Sequence, residues 1–178
     1  IDPVVVKLAR DPKLFTFFSR CRPDAAFVLG DARLTLAKEP ATLFDYLLID
    51  AFSSDSIPVH LLTREALELY LSRLSPNGLL AFHVSNRHMD LDAVASTLVR
   101  SIPGISGVVV RDVVDKLSFA STNSNVVLIA KTPAVLADVA SWKGAMPIGP
   151  LKEGAKADAA WTDDYSNVLG AILRKNGY

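Results

Sequence analysis

The sequence predicts an α/β domain whose sheet is mostly parallel and closes in an antiparallel hairpin strand. Three observations carry that expectation. Short apolar runs alternate with amphipathic helical stretches from residue 25 to residue 131. The runs Ala25 to Gly30, Phe44 to Asp50, Leu79 to Ser85, Val108 to Val114 and Ser124 to Lys131 are continuous rather than alternating, as befits strands covered on both faces of a parallel sheet. The last two runs are separated by only about ten residues without a helical pattern. That is too short for a right-handed crossover, so the fifth strand is expected to fold back antiparallel.

The helices follow from their caps and stripes. Asp2-Pro3 ahead of Val4, Val5, Leu8 and Ala9 reads as a helix start, with Asp as N-cap and Pro in the first helical position, and Pro12 ends or resets it. Asp31 to Glu39 is a short helix. Thr63 caps Arg64 to Leu74, whose Ala66, Leu67, Tyr70, Leu71 and Leu74 form one apolar stripe that Pro76-Asn77-Gly78 stops. Asp90 opens a helix through Arg100, Pro133 to Trp142 has a helical pattern, and Asn167 to Lys175 is a short terminal helix. Residues 143 to 160 are a connection rich in Gly, Pro, Ala and Lys. This order is that of the second half of a Rossmann-like, class I methyltransferase-type sheet. A single domain is expected, Rossmann-like over 1–131 with a helical extension over 132–178.

Composition narrows the function classes. The 178 residues carry 19 basic and 19 acidic side chains, so no broad field attracts nucleic acid or an anionic membrane surface. Apolar runs such as Val126 to Ala130 are far shorter than the ~20 residues that span a bilayer, so no membrane contact is expected of this segment. Cys21 is the only cysteine, which excludes a disulfide or a clustered thiolate metal site within the chain and fits a reducing, cytoplasmic setting. Residue 1 is Ile, with no signal-peptide pattern before Asp2-Pro3, so the expectation is that the first strands of the sheet lie upstream.

In open parallel sheets ligands bind beyond the carboxyl ends of the strands. Asp31 follows Val28-Leu29-Gly30 and Asp50 follows Leu47-Leu48-Ile49, while Asp2 would follow a strand upstream of the chain. Two readings stand side by side for the pair Asp31 and Asp50: ligand-facing acids, or caps of the helices and turns that follow their strands. His60 follows the second acid and either assists proton transfer or is a loop histidine without a role. His83 lies inside a strand and reads as core or helix-facing. Asn86-Arg87-His88 is a substrate contact or a solvated turn. Thr162-Asp163-Asp164 is a capping box for the last helix or part of a lid.

Ile-Asp-Pro at 1–3, Leu-Gly-Asp-Ala at 29–32, Phe-Asp-Tyr-Leu-Leu-Ile-Asp at 44–50 and Ser-Ser-Asp at 53–55 resemble successive motifs of the spermidine synthases. The string from Asp50 to His60 resembles more closely the spermidine synthase-like proteins of bacteria that stand alone or are fused to membrane transporter segments. Trp161-Thr-Asp-Asp-Tyr165 resembles a closing motif of that subgroup. Taken in order over residues 1 to 131 the motifs are fairly specific. The resemblance implies that Asp31, with Gly30, Ala32 and Asp2 beside it, holds the adenosyl part of decarboxylated S-adenosylmethionine or S-adenosylmethionine. It further implies that Asp50 and Asp55 are the catalytic acids facing a small-molecule amine, Asp55 as the proton acceptor, with Ser53, Ser54, His60 and Tyr165 lining the amine subsite. A carboxylate attracts a protonated amine and can take a proton from it, so that nitrogen attacks the sulfonium-activated carbon without a metal. The implied activity is aminopropyl transfer, the alternatives being S-adenosylmethionine-dependent methyl transfer or a non-catalytic domain kept for interaction, and a homodimer is compatible with each.

The departures from the family pattern are equally specific. Ala51 and Phe52 separate Asp50 from Ser53-Ser54-Asp55. The Gly-rich loop and the ribose-binding glutamate would precede Ile1, so the chain by itself is expected to bind adenosyl cofactors weakly. Ser121, Thr122 and Asn123 stand where the synthases carry a hairpin tyrosine. In the implied sheet order two strands lie between Ala25–Gly30 and Phe44–Asp50. Either another segment or chain supplies them, or Ala25 to Gly30 pairs directly with Phe44 to Asp50, because unpaired buried backbone groups cost about 1–3 kcal/mol each.

Overall fold

The computed structural model describes residues 2–52, 58–115, 118, 122–151 and 158–177. The chain divides into two compact units, residues 1–39 and residues 40–178.

The first unit holds three helices, α1 (Pro3–Arg10), α2 (Phe17–Cys21) and α3 (Ala32–Leu36). Asp2 caps α1 as its sequence requires, its Oδ1 accepting from Val4 N at 2.7 Å with Pro3 in the first turn. Residues 25–30 are coil, not the expected strand, so the direct ladder to Phe44–Asp50 is not made. A strand persists only when its backbone finds a ladder, and here side chains hold the segment instead. The Phe27 ring sits edge-on to Phe18 at 4.9 Å, Arg10 stacks over it at 4.4 Å, and the Arg10 guanidinium donates to Ala25 O at 2.8 Å. Val28 and Leu29 remain 63% and 49% exposed, so the apolar run lacks the burial from which a strand was read.

The second unit is built on a five-stranded sheet: β1 (Phe44–Ile49), β2 (Leu74–His83), β3 (Ser106–Asp112), β4 (Ser124–Ala130) and β5 (Ala145–Pro147), in the spatial order β1-β2-β4-β3-β5. β1 and β2 are parallel, and β4 lies antiparallel between β2 and β3. The first three strands therefore run one way and the hairpin strand runs against them, as the short β3–β4 connection demands. The fold is the expected α/β, methyltransferase-type sheet. β5, missed in the Gly/Pro-rich connection, adds an antiparallel edge to β3. It is reached through Gly144, whose φ of +79° a residue with a side chain rarely adopts, and whose carbonyl accepts from Arg111 N at 3.1 Å. The pattern at Pro133 to Trp142 forms two 3-10 turns, Pro133–Leu136 and Val139–Ser141, rather than one helix.

Alternation along β2 sorts the core into two layers. Phe82 and Leu80 face α4 (Arg64–Arg73) and α5 (Leu91–Ser101), where Phe82 meets the rings of Tyr70 at 5.9 Å and Phe52 at 6.2 Å. Ala81 faces the other way, with Val108, Leu128, Ala130, Leu136 and Val139. Thr63 caps α4 through its Oγ1, which accepts from Ala66 N, and Ala66, Leu67, Tyr70 and Leu71 of the predicted stripe are buried on the helix, while its last member, Leu74, instead begins β2. β1 is the exception to two-sided coverage. It pairs with β2 alone among the described strands, and Tyr46 and Leu48 are 56% and 49% exposed. α6 (Val168–Lys175) closes the unit, with Asn167 Oδ1 accepting from Gly170 N at 2.8 Å. No helix among the described residues is long and apolar enough to cross a membrane.

Candidate functional site

Strand register brings the site together. Ile49 of β1 pairs with Phe82 of β2, so the residues that follow, Asp50 and His83, emerge side by side at the carboxyl ends of two parallel strands. Across the antiparallel pair His83 is opposite Val126, and Ser124, two residues back, lies on the same face at the same end. The result is a hydrogen-bonded line: Asp50 Oδ1 to His83 Nδ1 at 2.8 Å, then His83 Nε2 to Ser124 Oγ at 3.4 Å. Asp50 is half open to solvent and His83 largely shielded, with side chains 52% and 28% exposed.

The loops behind this line are tied to one another. Asn86 Nδ2 donates to Phe52 O at 2.8 Å, and Asn86 Oδ1 accepts from the backbone N–H groups of His88 and Met89, both at 2.9 Å. One side chain thus holds the turn after β2 and the segment after Asp50, so this Asn is more than a solvated turn residue. Phe52, one of the two residues inserted before Ser53, is fully buried and anchors that segment from below. Ser53, Ser54 and Asp55 lie outside the described residues.

The other expected residues have local partners. Asp31 Oδ1 accepts from Leu34 N at 2.8 Å as N-cap of α3, Ala32 is the first residue of that helix, and Gly30 precedes it with φ +133°. Asp2 caps α1. His60 is exposed in the 3-10 turn Val59–Leu61, whose Leu61 is buried. Tyr165 is 47% exposed and forms a two-residue bridge with Thr162. The Trp161 to Tyr165 motif does not box the last helix, which Asn167 caps. It grips the start of α4 instead: Thr63 Oγ1 donates to Asp163 Oδ1 at 2.9 Å, Asp163 N to Glu65 Oε2 at 3.0 Å, and Arg64 N to Trp161 O at 2.8 Å. A cleft of about 360 Å³ lined by Val99, Ile105, Ile148 and Leu151 holds no carboxylate or imidazole and is separate from the site. Among the described residues no three His, Cys, Asp or Glu side chains converge as metal ligands.

A second polar cluster lies at the start of α5. Asp92, almost fully buried, takes both Arg111 Nε at 2.8 Å and an Arg111 terminal nitrogen at 2.6 Å on Oδ2. Burial works to raise Asp92, but the hydrogen bonds from Asp90 and Arg111 and the Arg111 charge outweigh it and hold this acid below its ordinary value. Asp90 is pushed up to about 6, by burial first and then by its hydrogen bond to Asp92 and the repulsion between the two carboxylates. Arg174 of α6 opposes that rise, and Asp90 N donates to Ala171 O at 3.0 Å. Asp90 therefore keeps its proton to higher pH than an ordinary carboxyl, while its backbone N–H ties the start of α5 to α6. An acid raised on folding contributes stability that is complete below its unfolded value, 3.8, and is lost as pH climbs through about 6. Asp92, lowered on folding, loses its contribution only below that window. Asp90→Asn, whose amide always donates, is thus expected to gain a few °C in Tm over the wild type as pH rises from roughly 4 to 7, read by calorimetry at steps of pH. A difference that stays flat over this window contradicts the upward shift of Asp90.

No family model matches the chain, and no curated protein matches it. Its backbone is similar to solved spermidine synthases. One is a probable spermidine synthase from Corynebacterium glutamicum ATCC 13032, with a TM-score of 0.52, 16% identity, and coverage of 81% of this chain and 54% of that one. A second, the spermidine synthase from Thermotoga maritima, has a TM-score of 0.57, 16% identity, and coverage of 97% and 54%. The third is a spermidine synthase in complex with the transition state analogue AdoDATO, with a TM-score of 0.55, 15% identity, and coverage of 97% and 54%. The chain spans about half the length of these structures, and the likeness is one of fold.

Proposed function

We propose that this chain carries the amine-facing side of an aminopropyltransferase-like domain, which moves an aminopropyl group from decarboxylated S-adenosylmethionine to a small amine. The observation that carries the reading is the solvent-open Asp50 carboxylate at the carboxyl end of β1, hydrogen-bonded to His83, in a sheet with the spermidine synthase fold. A carboxylate there attracts an ammonium group, and the open strand end leaves room for a substrate. That a structure of this fold is described in complex with a transition state analogue supports an adenosyl-type ligand. In this reading Asp31, with Asp2, Gly30 and Ala32, belongs to the adenosyl side. Asp55, Ser53, Ser54, His60 and Tyr165 belong to the amine side. A cytoplasmic location and assembly as a homodimer are part of the same proposal.

The test is release of methylthioadenosine from decarboxylated S-adenosylmethionine, followed by chromatography with and without α,ω-diamines of increasing length. Amine-dependent release is the expected result in a preparation that binds the adenosyl ligand. Methyl transfer from S-adenosylmethionine in place of aminopropyl transfer would overturn the reading, and so would a chain that binds adenosyl ligands yet releases nothing.

A further inference from the structure

The imidazole of His83 is held at both nitrogens, and the identity of its neighbours sets which one is basic. A carboxylate can only accept, so Nδ1, 2.8 Å from Asp50 Oδ1, carries the hydrogen. In the neutral ring Nε2 then keeps its lone pair, which faces Ser124 Oγ at 3.4 Å. That second contact lies at the long end of hydrogen bonding, so Ser124 does not saturate the nitrogen. His83 side-chain exposure of 28% leaves it within reach from outside, while partners on two other strand ends fix its ring.

We propose that His83 Nε2 is the proton acceptor of this site, with Asp50 setting its tautomer and Ser124 providing the exit for the proton. The proposal rests on the transferase reading above. As side-chain types, an imidazole is a stronger base than a carboxylate by roughly two to three pH units, which suits it better to deprotonating an ammonium ion. The step balances without a further reactant. One ammonium of a diamine rests against the Asp50 carboxylate, and its other ammonium gives one N–H proton to His83 Nε2. The freed nitrogen lone pair forms the new C–N bond at the propyl carbon next to the sulfonium. The C–S bond breaks, its electron pair passes to sulfur, and a neutral thioether leaves. The imidazolium then returns its proton to solvent past Ser124.

Two measurements on the full chain test this. With ¹⁵N-labelled histidine, the His83 ring is expected in the Nδ1–H form, and Asp50→Ala is expected to move it toward the Nε2–H form. His60→Gln and His88→Gln assign the resonances, since the chain has three histidines. A wild-type His83 in the Nε2–H form overturns the proposal whatever the activity. In the transfer assay His83→Ala is expected to lose about 100-fold in kcat with the amine KM within about threefold, and added imidazole is expected to restore part of the rate. His83→Gln, closer in volume, guards against a folding defect and is expected to be equally slow. A wild type that transfers while both His83 variants keep their kcat defeats the role of His83 alone. A wild type that binds the adenosyl ligand yet transfers nothing defeats the transferase reading, whereas the ring tautomer decides on His83 Nε2 by itself.

Discussion

Replacing Phe82 by alanine is expected to cost about 3–5 kcal/mol of unfolding free energy, out of a total of roughly 5–15 kcal/mol for a domain. Phe82 is fully buried on β2, between the rings of Phe52 and Tyr70. Its neighbours cannot close the hole. Tyr70 is tethered through its hydroxyl, which donates to Leu61 O at 3.1 Å, and Phe52 through its carbonyl, which accepts from Asn86. The loss therefore includes the cavity as well as the transfer term, together with the edge-to-face ring contacts worth about 0.5–1.5 kcal/mol each. Phe82→Leu, which keeps most of the volume, is expected to cost far less, about 1–2 kcal/mol. Urea unfolding checks both, as a fall in midpoint at constant slope. A loss under 1 kcal/mol for the alanine variant would mean that the layer beneath α4 collapses freely. The effect reaches the site, because Phe82 pairs with Ile49 and so sets the register that places Asp50 against His83.

Asp50→Asn and Asp31→Asn are expected to separate turnover from cofactor affinity in a chain that supports transfer. Asp50→Asn removes the charge that draws the ammonium group and holds His83, so kcat should fall by about 100- to 1,000-fold while affinity for methylthioadenosine stays within about threefold. On the proposed reading, Asp31→Asn removes a charge-assisted hydrogen bond to the adenosyl ligand. At roughly 1.5–3 kcal/mol, that raises the dissociation constant about 10- to 100-fold with a smaller change in kcat. The second substitution leaves the fold alone, since Asn caps a helix as well as Asp does and α3 keeps its bond to Leu34 N. Calorimetry and initial rates on the same preparations make the comparison. If the two variants show the same pattern, the assignment of one acid to each ligand falls.

Local chemistry made most of the second unit readable in advance. Thr63 before a stripe of Ala66, Leu67, Tyr70 and Leu71 can only be a capped amphipathic helix, and the short span between Val114 and Ser124 leaves β4 no choice but to turn back antiparallel. Asp2 was legible as a cap, and for Asp31 capping was one of two readings, because capping is decided within three residues of chain. The 25–30 run misled because strand formation needs a ladder, which no apolar run carries within itself. β5 went unseen for the opposite reason: three residues after a glycine show no periodicity, and the free edge of β3 recruits them.

Asp50 stood out as an acid after an apolar strand, with a ligand-facing and a capping reading side by side, a signal available along the chain. Its partner did not. His83 read as a core residue because a strand shows only which side chains alternate, not what stands opposite, and the nearest partner is 33 residues away in sequence. A one-residue slip of β2 against β1 would send His83 to the other face of the sheet. Sequence alone, then, determined the α/β class, the caps and the acid at the end of β1. The meeting of Asp50, His83 and Ser124 was decided by tertiary structure, because only long-range register, held by the packing of Phe82 between Phe52 and Tyr70, brings three strand ends within hydrogen-bond reach.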